Sequence, residues 1–297
     1  MLDQKIGLAL GGGGARGFAH LGVLKALTES SIPINFLAGS SMGAVIAAGY
    51  AHERNLVKLE RHVLDFNYSE YIQPHNRRIL IDMEKLVKYF NEYLHNAHFK
   101  ELDIPLSVIT TDFQKKESFV INHGDVSIAI AASCETPYIH KPIKYKNRLL
   151  VDGGLVSMLP VDLVEDMGAE IVIGVDVYSS PFSNGDKLYV SQFEKNIMAR
   201  FPFLSILFSK QAHSFLNHSN QIKANELNNL RLKLVQKPMF IIKPKLKNMT
   251  ILSFDKKNDA IRAGYEATQI IIPQIKKQLK LSQLQKNKKS NYAPTFS

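Results

Sequence analysis

The stretch Ile6-Gly7-Leu8-Ala9-Leu10-Gly11-Gly12-Gly13-Gly14-Ala15-Arg16-Gly17 decides the fold. Its apolar run reads as a buried strand, its glycines as a turn, and Phe18 to Ser30 as a helix with Leu21, Leu24, Ala26 and Leu27 on one face. A strand that enters a glycine loop and leaves as a helix is the unit from which helix-covered parallel sheets are built. Further strands are expected at Ile34 to Ala38, Ile104 to Thr111, Ser118 to Asn122, Arg148 to Val151 and Glu170 to Val177, each bounded by Gly, Pro, Asn or Asp. Ala44 to Tyr50 is so rich in small apolar residues that it reads as a buried helix. The expected fold class is α/β, with a mostly parallel central sheet flanked by helices on both faces.

Elsewhere the pattern is helical. Glu53 to Lys100 reads as a polar helical insertion over one face. A helical extension over about 190–236 carries the apolar face Phe193, Ile197, Phe201, Phe203, Leu204, Leu207, Phe208, Phe215 and Leu216, with Pro202 suited to the first turn of a new helix. That face suits packing on the body, a second copy of the chain, or a lid beside a lipid site. A strand at Met239 to Ile242 and a helix from about Lys256 to Leu279, kinked or ended by Pro273, close the pattern. Residues 5–275 are thus read as one domain with its motif-bearing core at 6–168, and 276–297 as a basic, disordered tail.

With 297 residues and 45% hydrophobic content the chain can bury a large core. Its longest apolar stretches, such as Gly43 to Ala51, are far shorter than the ~20 residues of a membrane-spanning helix. Cys134 stands alone, which excludes an internal disulfide and fits a reducing compartment. Lys5 to Leu10 imitates the start of a signal peptide, but Arg16 and His20 interrupt it and no small-residue cleavage site follows. The chain is therefore read as unprocessed and cytoplasmic. The net charge is +10, yet Lys276, Lys277, Lys280, Lys286, Lys288 and Lys289 lie in a terminal stretch without a single acid. That distribution suits a solvated tail able to touch an anionic membrane peripherally, and nucleic acid is not an expected partner. Nothing in the sequence fixes an oligomeric state.

The glycine loop contains a G-x-G-x-x-G match at Gly12, Gly14 and Gly17. Backbone N–H groups and the positive end of the following helix suit an anion there, either a pyrophosphate or the oxyanion of acyl transfer. A dinucleotide site also needs an acid at the end of the second strand, and no Asp or Glu occurs from Ile32 through His52. No GxxxxGK[ST] sequence is present either. The second strand ends instead in Gly39-Ser40-Ser41-Met42-Gly43, a G-x-S-x-G in strand-to-helix context. Such an elbow lifts the central serine, Ser41, into the cleft, while Ser40 points away. Asp152-Gly153-Gly154, after the apolar Leu149-Leu150-Val151, offers a base at a strand end whose proton affinity burial would raise. Taken alone, Asp-Gly-Gly reads more readily as an ordinary turn.

Together and in this order the three motifs resemble the patatin-like phospholipases, bacterial relatives of the plant storage acyl hydrolase patatin. That family is marked by G-G-G-x-R/K-G, G-x-S-x-G and D-G-G/A. The resemblance covers roughly Ile6 to Gly168, and Gly22 to Leu27, Ala129 to Pro137 and Leu155 to Val161 share it. It implies a three-layer fold and a Ser41–Asp152 dyad without a histidine relay, metal or organic cofactor. It also implies an oxyanion hole from the N–H groups of Gly13 and Gly14, with Gly12 holding the turn. Arg16 takes the family's basic position, adding positive potential, fixing the loop, or forming a salt bridge. Gly39, Gly43, Gly153 and Gly154 support the two active residues. Glu135 departs from the family, which usually carries a small or apolar residue there.

Other readings stay open at this point. In the Ser, Asp, His order of α/β-hydrolases, His213 or His218 could complete a triad, although both precede the last strand. His20 reads as structural. The remaining histidines show no HExxH or comparable set, so no metal site is expected. The leading expectation is a serine acyl hydrolase cleaving phospholipid or lysophospholipid esters through an acyl-enzyme. The alternative is a catalytically silent lipid-binding or membrane-peripheral regulatory protein of the same fold.

Overall fold

The computed structural model describes residues 4–75, 78–135, 142–178, 235–251 and 253–290. Its centre is an eight-stranded sheet. Strands β10 (Met239–Ile242), β9 (Ile171–Val175), β1 (Ile6–Leu10), β2 (Phe36–Ser40) and β5 (Leu106–Asp112) lie side by side and parallel. Beyond them β8 (Arg148–Asp152) runs antiparallel to β5, and β7 (Ile143–Tyr145) pairs with β8. A further strand, β6 (Glu117–Ile121), pairs with β5 in the antiparallel sense.

Residue size assigns the two faces of this sheet. Ile6, Leu8 and Leu10 of β1, with Ile171, Ile173 and Val175 of β9, pack into a large core with α1 (Ala19–Glu29), α2 (Met42–Glu53), α5 (Val126–Ser133) and α7 (Lys257–Ser290). Ala9, Ala38 and Val172 look the other way, onto a smaller cluster with α6 (Val161–Asp166). Small side chains on that second face let α6 sit close: a Cβ on Gly7 would come within 2.6 Å of Val164 Cβ. Sheet and helices therefore form three layers, as the strand–loop–helix pattern implied. All five residues of β1 and of β9 are buried, as the strands of a sheet covered on both faces must be.

The edge of β5 positions the functional residues. β2 occupies that edge up to the Ser40–Ile109 pair, and β8 takes it over from the Thr110–Asp152 pair onward. β6 holds the opposite edge from Val108 to Asp112. The ends of β2 and β8 thus meet head-on over consecutive residues of β5. Ser41 and Asp152 are brought together at the carboxyl ends of strands that run in opposite directions.

Three readings are corrected. The Glu53 to Lys100 region is not purely helical: between α3 (Leu56–Asp65) and α4 (Met83–Tyr93) stands an antiparallel hairpin of β3 (Ile72–His75) and β4 (Arg78–Ile81). Polar residues and a proline in β3 conceal the alternation that would announce a strand. Pro273 does not end α7, which continues to Ser290. Residues 276–290 of the tail expected to be disordered are therefore helical, because Lys, Gln and Leu are strong helix formers. The helical extension over about 190–236, with Pro202 and the face from Phe193 to Leu216, lies outside the described residues except at 235–236. Among the described residues no helix is long and apolar enough to cross a membrane.

Candidate active site

Ser41 sits between β2 and α2 with φ 51° and ψ −127°. A side-chain-bearing residue rarely adopts that conformation, and the fold must hold it there. Space on either side comes from glycine: a Cβ on Gly39 would lie 2.4 Å from Ala44 Cα, and one on Gly43 2.2 Å from Leu10 O. The turn is fixed further by Ser133 at the end of α5. Its hydroxyl accepts the Ser41 N–H at 2.8 Å and donates to Ile109 O at 2.7 Å, so the elbow is tied to β5. Ser40 is fully buried in β2, away from the cleft.

Asp152 faces this serine. Ser41 Oγ donates to Asp152 Oδ2 at 2.9 Å, and Asp152 Oδ1 accepts the Gly154 N–H at 2.7 Å. The backbone of Asp152 is held from two sides, its N–H by Glu135 O at 2.7 Å and its carbonyl by the Thr111 hydroxyl at 2.8 Å. Gly153 is pressed against β5, where a Cβ would meet Ile109 O at 2.2 Å. Burial raises the Asp152 carboxyl to about 6, against the smaller opposing pull of the Gly154 N–H and the Ser41 hydroxyl, while the Glu135 charge pushes it up. A carboxylate of that basicity, hydrogen-bonded to a hydroxyl, can accept its proton near neutral pH.

The glycine loop closes over the pair. Gly12 packs on the serine, so that a Cβ there would stand 3.3 Å from Ser41 Cβ, and its N–H donates to Met158 O at 2.9 Å. The Gly11 N–H goes to Val175 O at 3.1 Å. Among the described residues no acceptor engages the N–H of Gly13 or Gly14. Gly14 has φ +54° and its Cα lies under Ile251, where a Cβ would meet Ile251 O at 2.4 Å. Arg16 is buried, and its guanidinium donates to Tyr178 O at 3.2 Å, which fastens the loop to the chain after β9. His20 is structural, as expected: its Nε2 lies 2.7 Å from Gly11 O, and burial lowers its pKa to about 4.

Sequence reasoning missed Ser133, Thr111 and Cys134. Burial pushes the Cys134 thiol up, the Asp152 charge adds to this, and a hydrogen bond with Ser41 opposes it. A protonated thiol beside the serine is no rival nucleophile. Tyr68 stacks on Phe254 at 4.1 Å between ring centroids, and Phe254 meets the edge of the buried Phe18 at 5.9 Å. The signal for Ser133 was a hydroxyl at the end of an otherwise apolar run, too common a pattern to single out. His213 and His218 lie outside the described residues.

Comparison with known proteins follows the same geometry. The family model described as patatin-like phospholipase matches residues 8–164, more than half of the chain. Patatin-like phospholipase domain-containing protein 6 of Homo sapiens is 32% identical over 193 residues, covering 60% of this chain and 14% of that protein. Lysophospholipase NTE1 of Yarrowia lipolytica is 31% identical over 289 residues, covering 88% of this chain and 19% of that protein. An uncharacterized NTE family protein of Mycobacterium tuberculosis is 31% identical over 181 residues, covering 60% of this chain and 50% of that protein. The chain thus spans half or less of the length of these relatives. The family match begins in β1 and takes in the glycine loop, the elbow and the Asp152 turn: this chain belongs to the patatin-like phospholipase family.

Proposed function

We propose that the chain is a serine acyl hydrolase acting on the carboxylic esters of phospholipids or lysophospholipids. The observation that carries this reading is the 2.9 Å hydrogen bond from Ser41 Oγ to Asp152 Oδ2, made by a serine on a strained elbow. Ser41 Oγ attacks the ester carbonyl carbon while Asp152 takes its proton. The oxygen of the tetrahedral intermediate accepts hydrogen bonds from the Gly13 and Gly14 N–H groups, with Gly12 holding the turn through Met158. Collapse of the intermediate breaks the ester C–O bond, and protonated Asp152 returns its proton to the leaving alcohol. A water activated by the same carboxylate then cleaves the acyl-enzyme and frees the fatty acid. The Yarrowia relative is named a lysophospholipase, which supports a lysophospholipid substrate. A lipid-binding protein without turnover would have no need of a base held on its serine.

The test is fatty-acid release from phosphatidylcholine and lysophosphatidylcholine micelles by the wild type and by Ser41→Ala. Release from at least one of them, reduced ~10³-fold or more in the variant, is the expected result. Release that persists in Ser41→Ala removes the serine from the mechanism.

A further inference from the structure

At the far end of α2 three side chains meet that play no part in the acyl-transfer site. His52 and Glu53 close the helix, His95 stands in the turn after α4, and one ligand atom from each lies within 4.8 Å of the others. The sequence shows no metal-binding spacing here, because the third member comes from another element. Backbone contacts hold the meeting. The Asp103 N–H donates to Ala51 O at 2.8 Å and pins the approach to β5 against the last turn of α2. His95 has φ 50° and lies in a turn closed by the Asn96 N–H on Asn91 O at 2.9 Å. The two imidazole rings lie 5.8 Å apart, and among the described residues neither makes a hydrogen bond. Among the described residues the Glu53 carboxylate pairs with an exposed cation, Lys58, at 3.4 Å.

We propose that His52, Glu53 and His95 form a zinc-binding site, with water completing the coordination. Two imidazole nitrogens and a carboxylate oxygen are donors that zinc accepts, whereas magnesium and calcium favour oxygen alone. Zinc–ligand bonds of about 2.0–2.2 Å place ligand atoms roughly 3.3 Å apart. Closing from the present spacing of up to 4.8 Å takes side-chain movements totalling at most about 1.5 Å between any two ligand atoms. Binding displaces Lys58 from Glu53. The ion would join the end of α2 to the segment behind α4. Since Ser41 caps the opposite end of this 12-residue helix, roughly 16 Å away, the ion is structural and touches no reacting atom. This inference is independent of the hydrolase reading.

The test uses the full chain, dialysed against a chelator and titrated with zinc chloride by calorimetry and by thermal unfolding. One saturable site is expected, with a melting temperature raised by about 5 °C when free zinc is ~100 times its Kd. His95→Asn keeps a residue tolerant of positive φ and removes the imidazole, and Glu53→Gln keeps the shape and removes the charge. Each should weaken zinc binding about tenfold or more, while Lys58→Met should tighten it. Magnesium chloride at the same concentration should shift nothing. Absence of saturable binding, or unchanged affinity in both His95→Asn and Glu53→Gln, overturns the assignment.

Discussion

The two ends of α2 are built on different principles. At its start, Ser41 is held at φ 51° by packed glycines, by the Ser133 hydroxyl and by the strand behind it, all in the interior. At its finish, Arg54 shares the positive φ of 51° but has ψ 19°, the left-handed conformation of an ordinary helix cap, beside the half-buried His52 and Glu53. Backbone geometry determines the first end, and side chains from separate elements determine the second. Strain at the buried end is maintained by surrounding packing and serves the serine, whereas at the open end the same positive φ, in the left-handed well, carries no chemical demand.

The largest expected effect lies at the buried end, where Asp152→Asn preserves shape and removes the base. The turnover number should fall ~10²–10⁴-fold with little change in KM, measured on a soluble ester. The same variant has a second signature. Between the ordinary carboxyl value near 3.8 and the native value of about 6, the folded protein holds a proton that the unfolded chain releases. Stability is therefore lost as pH rises through that window, and the loss persists above it. Asp152→Asn should be more stable than the wild type by about 1–3 kcal/mol at pH 8, with the gap closing towards pH 4, as denaturant titration will show. Equal stability at both pH values would mean that Asp152 is not raised.

Gly43→Ala comes next. The added methyl would lie 2.2 Å from Leu10 O, so β1 or α2 must shift, at about 2–3 kcal/mol of stability and with loss of most turnover. An unperturbed melting curve would show the elbow to be looser than described. A smaller effect is expected from Glu135→Gln, since the fully buried Glu135 charge pushes the Asp152 carboxyl up. The acid limb of kcat/KM, expected near pH 6 in the wild type, should move down by under about one unit. At the open end Arg54→Gly should stabilise by only about 0.5–1 kcal/mol, because glycine meets no steric penalty at positive φ. A large change there would remove the contrast between the two ends.

The same contrast explains what could be read from the amino-acid sequence. β1, the glycine loop and the elbow are legible because each depends on residues adjacent in the chain: an apolar run, glycines at fixed spacing, a serine between them. Asp152 is legible as a candidate because it follows an apolar strand and precedes two glycines. Its position against Ser41 is not, since that depends on β8 taking over from β2 along one edge of β5. Ser133 and Thr111, which tie the two residues to that edge, carry no local mark. The β3–β4 hairpin is not legible because Gln73, Pro74 and His75 hide its period, and the helix beyond Pro273 is not because a lysine-rich stretch without acids reads equally as a solvated tail. Likewise His52, Glu53 and His95 share nothing in the sequence that would connect them.

The central claim is that Asp152 activates Ser41, and the most direct measurement is intact-protein mass after exposure to a fluorophosphonate probe. Wild type, Ser41→Ala and Asp152→Asn should be compared over time. A single adduct on the wild type, none on Ser41→Ala and labelling at least ~10²-fold slower on Asp152→Asn is the predicted outcome. An adduct on Ser41→Ala, or equally fast labelling of Asp152→Asn, would contradict it.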